Sequence, residues 1–179
     1  MGVGSAQQVS VTTGVPDRVT CPGCGLRTPD TGGPPPAERG ASAGCWERYG
    51  ELLARSYSGE AYRAVHQLIV DAYIAQHPAG QTRREIQTVA LCLMTLCLFI
   101  EGGSDPRQGP GLHKRMMANR PTFRWLRPPP LHGLLTVADI LAASTPDEHE
   151  RLAWAWGRAV WQAWTPHHPT IREWNSAAL

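Results

Sequence analysis

Cys21 and Cys24 stand in the run Cys21-Pro22-Gly23-Cys24-Gly25, and Cys45 follows after twenty intervening residues. A CxxC turn brings two thiolates onto one ion while backbone N–H groups face the sulfurs. A glycine behind it permits the positive φ that the turn needs. The spacing to Cys45 is that of a zinc ribbon, but a ribbon would repeat the CxxC, and position 48 is Arg48. Three thiolate ligands for Zn2+ are therefore expected. The fourth position falls either to a histidine of the chain, in a closed structural site, or to water or substrate, in a catalytic one. A redox dithiol is the weaker alternative, since no βαβ pattern surrounds the CxxC.

The histidines decide between the two. His66 and His77 are eleven residues apart, about 16 Å along one straight helix, so they share a face but not an ion. Tyr73 lies between them on that face and Asp71 toward a flank. Such a face suggests a polar-lined cavity, or simply hydrogen-bonded histidines at two places. His167 and His168 follow Thr165-Pro166, and adjacent helical positions diverge by about 100°, so only one faces inward. His66 and His168 are the expected candidates for the fourth ligand. Asp71, His77 and Tyr73 are the candidates for acid–base work if the ion keeps an open position. His113, His132 and His149 are assigned no role. No GxSxG, HExxH, Walker or GxGxxG pattern occurs. The zinc-deaminase pattern also fails, because Thr20 precedes the CxxC and there is no HxE.

These residues must be positioned by a chain of 179 residues, enough for one domain with its own core. The formal net charge of +2 comes without a block of Lys or Arg, which disfavours a nucleic-acid partner. Cys92 and Cys97 sit in the apolar run Thr88 to Ile100 and read as core. An odd count of five cysteines fits a reducing cytoplasm. The N-terminus lacks the pattern of a signal peptide, and the 13-residue apolar run is too short to span a bilayer. A cytoplasmic protein without a membrane partner is expected.

Residues 1–19 are polar and aperiodic and read as a disordered arm. Residues 20–45 read as a zinc-knuckle loop, too rich in Pro and Gly for a helix or central strand. Residues 46–179 read as a helical domain packed with the knuckle. One helix begins at Trp46. A second, capped by Ser58, runs through His77 to a stop at Pro78 and Gly80. A third opens on a Thr82–Glu85 capping box and ends at Glu101. Residues 112–119 give another turn or two, and Thr136 opens a short helix. Thr145-Pro146 starts a helix to Trp164, with Trp154, Trp161 and Trp164 on one face. Thr165-Pro166 starts the last. The fold class is mainly α: a single compact bundle of four or five helices carrying an N-terminal zinc-knuckle loop.

Three segments carry a resemblance: Cys21 to Gly25 (CPGCG), Val65 to Pro78 (VHxLxVDAYxxQHP) and His167 to Trp174 (HHxxIRxW). In these the chain resembles an uncharacterised bacterial family over roughly residues 20–175. The resemblance brings no activity with it. It implies that the Cys and His groups belong to one site.

Two functions follow from the residues. In the first, Zn2+ closes at four ligands and pins the Pro-rich loop to the bundle. The Trp-rich helix then offers a pocket to a small-molecule ligand or a surface to a protein partner. In the second, the chain is a small zinc enzyme, although three thiolates weaken the metal as a Lewis acid. Closed sites are the commoner use of thiolate-rich sets, which favours the first and leaves the question of an enzyme open.

Overall fold

The computed structural model describes residues 17–179. The expected disordered arm lies outside the described residues except at its end, where Arg18–Thr20 forms β1. β1 pairs antiparallel with β2, Arg27–Pro29, with Val19 opposite Thr28. The CxxC turn is the hairpin between them. Strands of three residues are too short to show an alternating pattern, which is why the sequence predicts no strand here.

The first helix starts three residues ahead of Trp46. α1 spans Ala43–Ser56, because Ser42 caps it by accepting from the Cys45 N–H at 3.3 Å. Cys45 is thereby fixed in the first turn of a helix rather than in a loop. Ser58 does not cap the next helix. Its hydroxyl donates to the Arg55 carbonyl at 2.8 Å and closes α1 instead.

The expected single helix up to His77 is two: α2, Glu60–Arg63, and α3, His66–Gln76. They part at Val65, whose φ of −108° and ψ of 11° leave the helical region. His66 opens α3, while His77 has stepped out of it at φ −125° and ψ 51°. The shared helical face of His66 and His77 is therefore absent. α4, Arg83–Ile100, carries the Thr82–Glu85 capping box that the sequence predicts. A 3-10 turn at Pro106–Gln108 leads into α5, Gly109–Ala118, and then come α6, Val137–Leu141, and α7, Pro146–Ala163. A second 3-10 turn, Thr165–His167, precedes α8, His168–Ala178.

α3 is the hub, packed against α4 and α7, with α8 on the far side of α4. Leu68, Ile69, Ala72, Tyr73 and Ala75 of α3 are all fully buried. A helix covered on two sides needs apolar residues around most of its circumference, which explains why α3 shows no single apolar stripe. Gly157 allows α7 its close approach, since a Cβ there would stand 2.6 Å from Leu68 Cδ1.

Trp156, Trp161, Trp164 and Trp174 are core. Trp156, outside the expected stripe, is fully buried, whereas Trp154 is only half-buried. The indole N–H of Trp156 donates to Gln76 Oε1 at 3.0 Å, and that of Trp164 to the Ala75 carbonyl at 3.2 Å. Trp161 donates to Glu101 Oε1 at 3.1 Å. At the other end of the bundle Arg55 binds the Ile140, Leu141 and Ala143 carbonyls, which closes the C-terminal end of α6. No described helix is long and apolar enough to cross a membrane.

Gln76 is the polar cross-tie of this core: besides Trp156 it reaches the Leu135 carbonyl, donating at 3.0 Å. Gln76→Leu keeps the bulk but strands a buried indole N–H and a carbonyl. It should lower unfolding stability by roughly 2–4 kcal/mol. Urea denaturation of the two chains measures this, and a loss below about 0.5 kcal/mol would mean that the cross-tie contributes nothing.

Candidate metal centre

Four side chains from three parts of the fold converge. Cys21 and Cys24 come from the hairpin turn, Cys45 from the first turn of α1, and His77 from the residue that ends α3. Their ligand atoms all lie within 4.8 Å of one another. Relative exposures of 0, 2, 0 and 1% put every one of them out of solvent.

The hairpin turn has the geometry a knuckle requires. The Cys21 N–H donates to the Leu26 carbonyl at 2.8 Å, and Gly25 N–H donates to the Cys21 carbonyl at 2.9 Å. Gly25 has φ +80°, which is open to glycine at little cost. Gly23 is required for a different reason. A Cβ there would come within 2.5 Å of both the Gly40 carbonyl oxygen and His77 Cδ2. The knuckle can lie against the end of α3 only because position 23 has no side chain. Gly40 N–H donates to the His77 carbonyl at 3.1 Å and draws the 30–41 loop to the same place.

His77 is oriented before any ion arrives. Its Nδ1 lies 2.8 Å from the Tyr73 carbonyl, which can only accept, so Nδ1 carries the proton and Nε2 the free lone pair. That lone pair stands 3.5 Å from Cys45 Sγ, and Cys24 Sγ is 3.8 Å from Cys45 Sγ. A tetrahedral centre with metal–sulfur bonds near 2.3 Å and metal–nitrogen bonds near 2.0 Å has edges of about 3.8 Å between sulfurs and about 3.5 Å from sulfur to nitrogen. The residues fit a metal ion.

Charge leads to the same donor chemistry. Donation by the Cys24 and Cys45 thiols, opposed by burial, holds the Cys21 thiol far below its ordinary range. The same contacts push Cys24 up to about 12 and Cys45 upward as well. Three buried sulfurs in contact can hold one negative charge between them, and a second or third needs a cation. Tyr73 borders the set, its hydroxyl 3.8 Å from Cys45 Sγ and its ring stacked on Tyr49 and His77 at 3.8 and 4.1 Å. Burial, then the neighbouring Cys45, raises its phenol, so it stays protonated and available as a donor to sulfur.

The two histidines expected as ligands lie elsewhere. His66 Nε2 faces the Tyr57 hydroxyl at 3.3 Å. His168 donates to the Trp161 carbonyl at 2.9 Å, with its ring stacked 3.7 Å from that indole. His77, expected as an acid–base group, is the histidine that clusters with the three cysteines. The available signal was its place directly before Pro78, where a helix must end and its last side chain can turn toward a loop. His132 gave no signal at all, yet it donates to the Pro22 carbonyl at 2.8 Å and braces the knuckle from outside.

Asp71 is not part of the cluster. It is fully buried and accepts from Thr95 Oγ1 at 2.6 Å and Gln67 Nε2 at 2.9 Å, with His113 Nε2 at 3.5 Å. Burial pushes its carboxyl up to about 7, against the hydrogen bonds from Thr95, Gln67 and Cys92. Burial lowers His113, so just below neutrality the pair meets as two uncharged groups, and Asp71 ionises as the pH rises through about 7.

A folded value above the unfolded one near 3.8 means that the native state prefers the protonated acid. Its contribution is therefore full below about 4, falls as the pH rises to about 7, and is level beyond. Asp71→Asn should gain on the parent across that window, reaching roughly 1–3 kcal/mol at pH 8. Denaturant unfolding at pH 4, 6 and 8 tests this. A variant-to-parent difference that does not change with pH would show an ordinary carboxylate.

No curated protein and no solved structure matches the chain. A family model does, over residues 19–165, a segment that holds all four clustered ligands. With most of its length matched, the chain belongs to that family, DUF5946, a family of unknown function.

Proposed function

We propose that the chain binds one Zn2+ through Cys21, Cys24, Cys45 and His77 in a closed, four-coordinate site. The site pins the knuckle and the Pro-rich loop onto the helical body, whose function is to bind a small ligand or a protein partner. The observation that carries the reading is the convergence of four buried ligand atoms within 4.8 Å, one of them an imidazole whose other nitrogen is already engaged. Soft thiolates in a tetrahedral set of three sulfurs and one nitrogen favour zinc among the common divalent ions. Ligation by reduced thiols also supports a reducing compartment, the cytoplasm.

The alternative is a zinc enzyme with an open position. It finds less support, because a protein side chain fills the fourth position and no ligand is more than 2% exposed. Asp71, its expected acid–base group, is engaged with Thr95 and Gln67 instead.

Purified full-length chain should contain one zinc per molecule by elemental analysis. Cys45→Ser and His77→Ala should lose at least about 90% of it, with Tm lowered by roughly 10 °C or more. His66→Ala and His168→Ala should keep their metal. Co2+ exchanged into the site should give the intense visible bands of a four-coordinate centre. Retention of zinc by His77→Ala would overturn the ligand set, and the weak bands of a five- or six-coordinate ion would revive the open site.

A further inference from the structure

The end of the chain's long α4 borders a cavity that the metal reading does not use. It has a volume of about 360 Å³ and lies between the first turns of α4 and the segment 120–123 that follows α5. Arg83 and Arg120 line it, with Gln81 and Thr122 as further polar groups and Ile86 and Phe123 as an apolar wall. None of its lining residues is acidic.

Neither arginine has an anionic partner among the described residues. The neighbouring Arg84 is engaged with Glu38 at 2.6 Å, which leaves Arg83 as the free cation of that turn. Arg120 donates to the neutral Gln87 Oε1 at 3.2 Å, a contact that orients the guanidinium without neutralising it. Two like charges brought to one concave site repel each other, and an anion seated between them would remove that repulsion. A guanidinium presents its N–H groups in a planar fork that matches the oxygens of a carboxylate or phosphate. The volume exceeds what an inorganic ion fills, and the Ile86 and Phe123 wall suits an apolar body of about one ring.

We propose that this cavity binds a small organic oxyanion, a carboxylate or phosphate joined to an apolar ring, with Arg83 and Arg120 on the oxygens and Phe123 against the ring. The chain has another arginine-lined groove, at Arg18, Arg27 and Arg48, but there Arg48 already pairs with Glu51 at 2.9 Å. That groove is the internal competitor.

The test is a titration of the full, metal-loaded chain with phenyl phosphate, benzoate, inorganic phosphate and phenol, followed by amide and arginine side-chain NMR shifts. Phenyl phosphate or benzoate should saturate, with shifts confined to residues 81–87 and 120–123, and the tighter of the two names the oxyanion. Inorganic phosphate and phenol should each bind at least about tenfold more weakly. Arg83→Gln and Arg120→Gln should each weaken binding about tenfold, and the double variant should abolish it. Both residues are exposed, so Tm should hold. The proposal is overturned if no probe saturates, if phenol binds as well as the anions, if the double variant binds like the parent, or if the shifts centre on Arg18, Arg27 and Arg48 or on the knuckle.

Discussion

Three consecutive residues at the end of α3 tie together α7, the segment before α6 and the knuckle. The Ala75 carbonyl takes the indole proton of Trp164, Gln76 takes that of Trp156 and reaches the Leu135 carbonyl, and His77 joins the cysteines. The helix must therefore end where it does. One further helical turn would carry the imidazole away from the knuckle and use the Tyr73 carbonyl in an intrahelical bond instead of for His77 Nδ1. Pro78 guarantees the stop, because a residue before proline is driven out of the helical region. His77, at φ −125°, has left it.

From that end point the site is built inward by contacts that leave no room for alternatives. Tyr73 fixes the tautomer of His77 through its carbonyl and covers the ring with its own. Gly23 lets the knuckle touch the imidazole, and Gly40 lets the loop pass Pro78, where a Cβ would stand 2.6 Å from the Pro78 carbonyl oxygen. Ser42 starts α1 early enough that Cys45 lies within its first turn. Each of these is a local backbone feature. Their joint effect is to bring side chains separated by 21 and 32 positions into one buried cluster.

Local signals were legible in the sequence and long-range ones were not. The CPGCG turn, Cys45, the Thr82–Glu85 box and the Thr145-Pro146 start all act within a few residues, and the structure contains every one of them. The histidine that joins the cysteines is not legible, because its identity depends on the break at Val65 and on the packing of α3, neither of which has a local signature. Reading residues 59–77 as one straight helix tied His77 to His66 on a common face and drew attention to His66. The tryptophans misled in a milder way. Spacing alone put Trp154 in the apolar stripe and left Trp156 out, although a helix packed on two neighbours buries a wide arc. The His132 brace could not have been read at all, since 110 residues separate it from Pro22.

Magnitudes suggest which part of the fold a bound ion would organise. The helical body needs none: α3, α4 and α7 close on Leu68, Ile69, Leu93, Met94, Trp156 and Val160, all fully buried, and His77 is its sole contribution to the ligand set. The N-terminal part is different. Two three-residue strands and a loop rich in Pro and Gly bury little, and Thr31 to Pro35 lie exposed. Closing the roughly 20-residue loop between Cys24 and Cys45 costs about 3 kcal/mol in chain entropy, with further losses for each residue ordered. A structural zinc site is worth about 10–16 kcal/mol at neutral pH, enough to offset both, whereas the few apolar contacts of the loop are not. The ion, on this reading, acts as the core of a segment that has almost none of its own. His77 is where that small core is fastened to the large one.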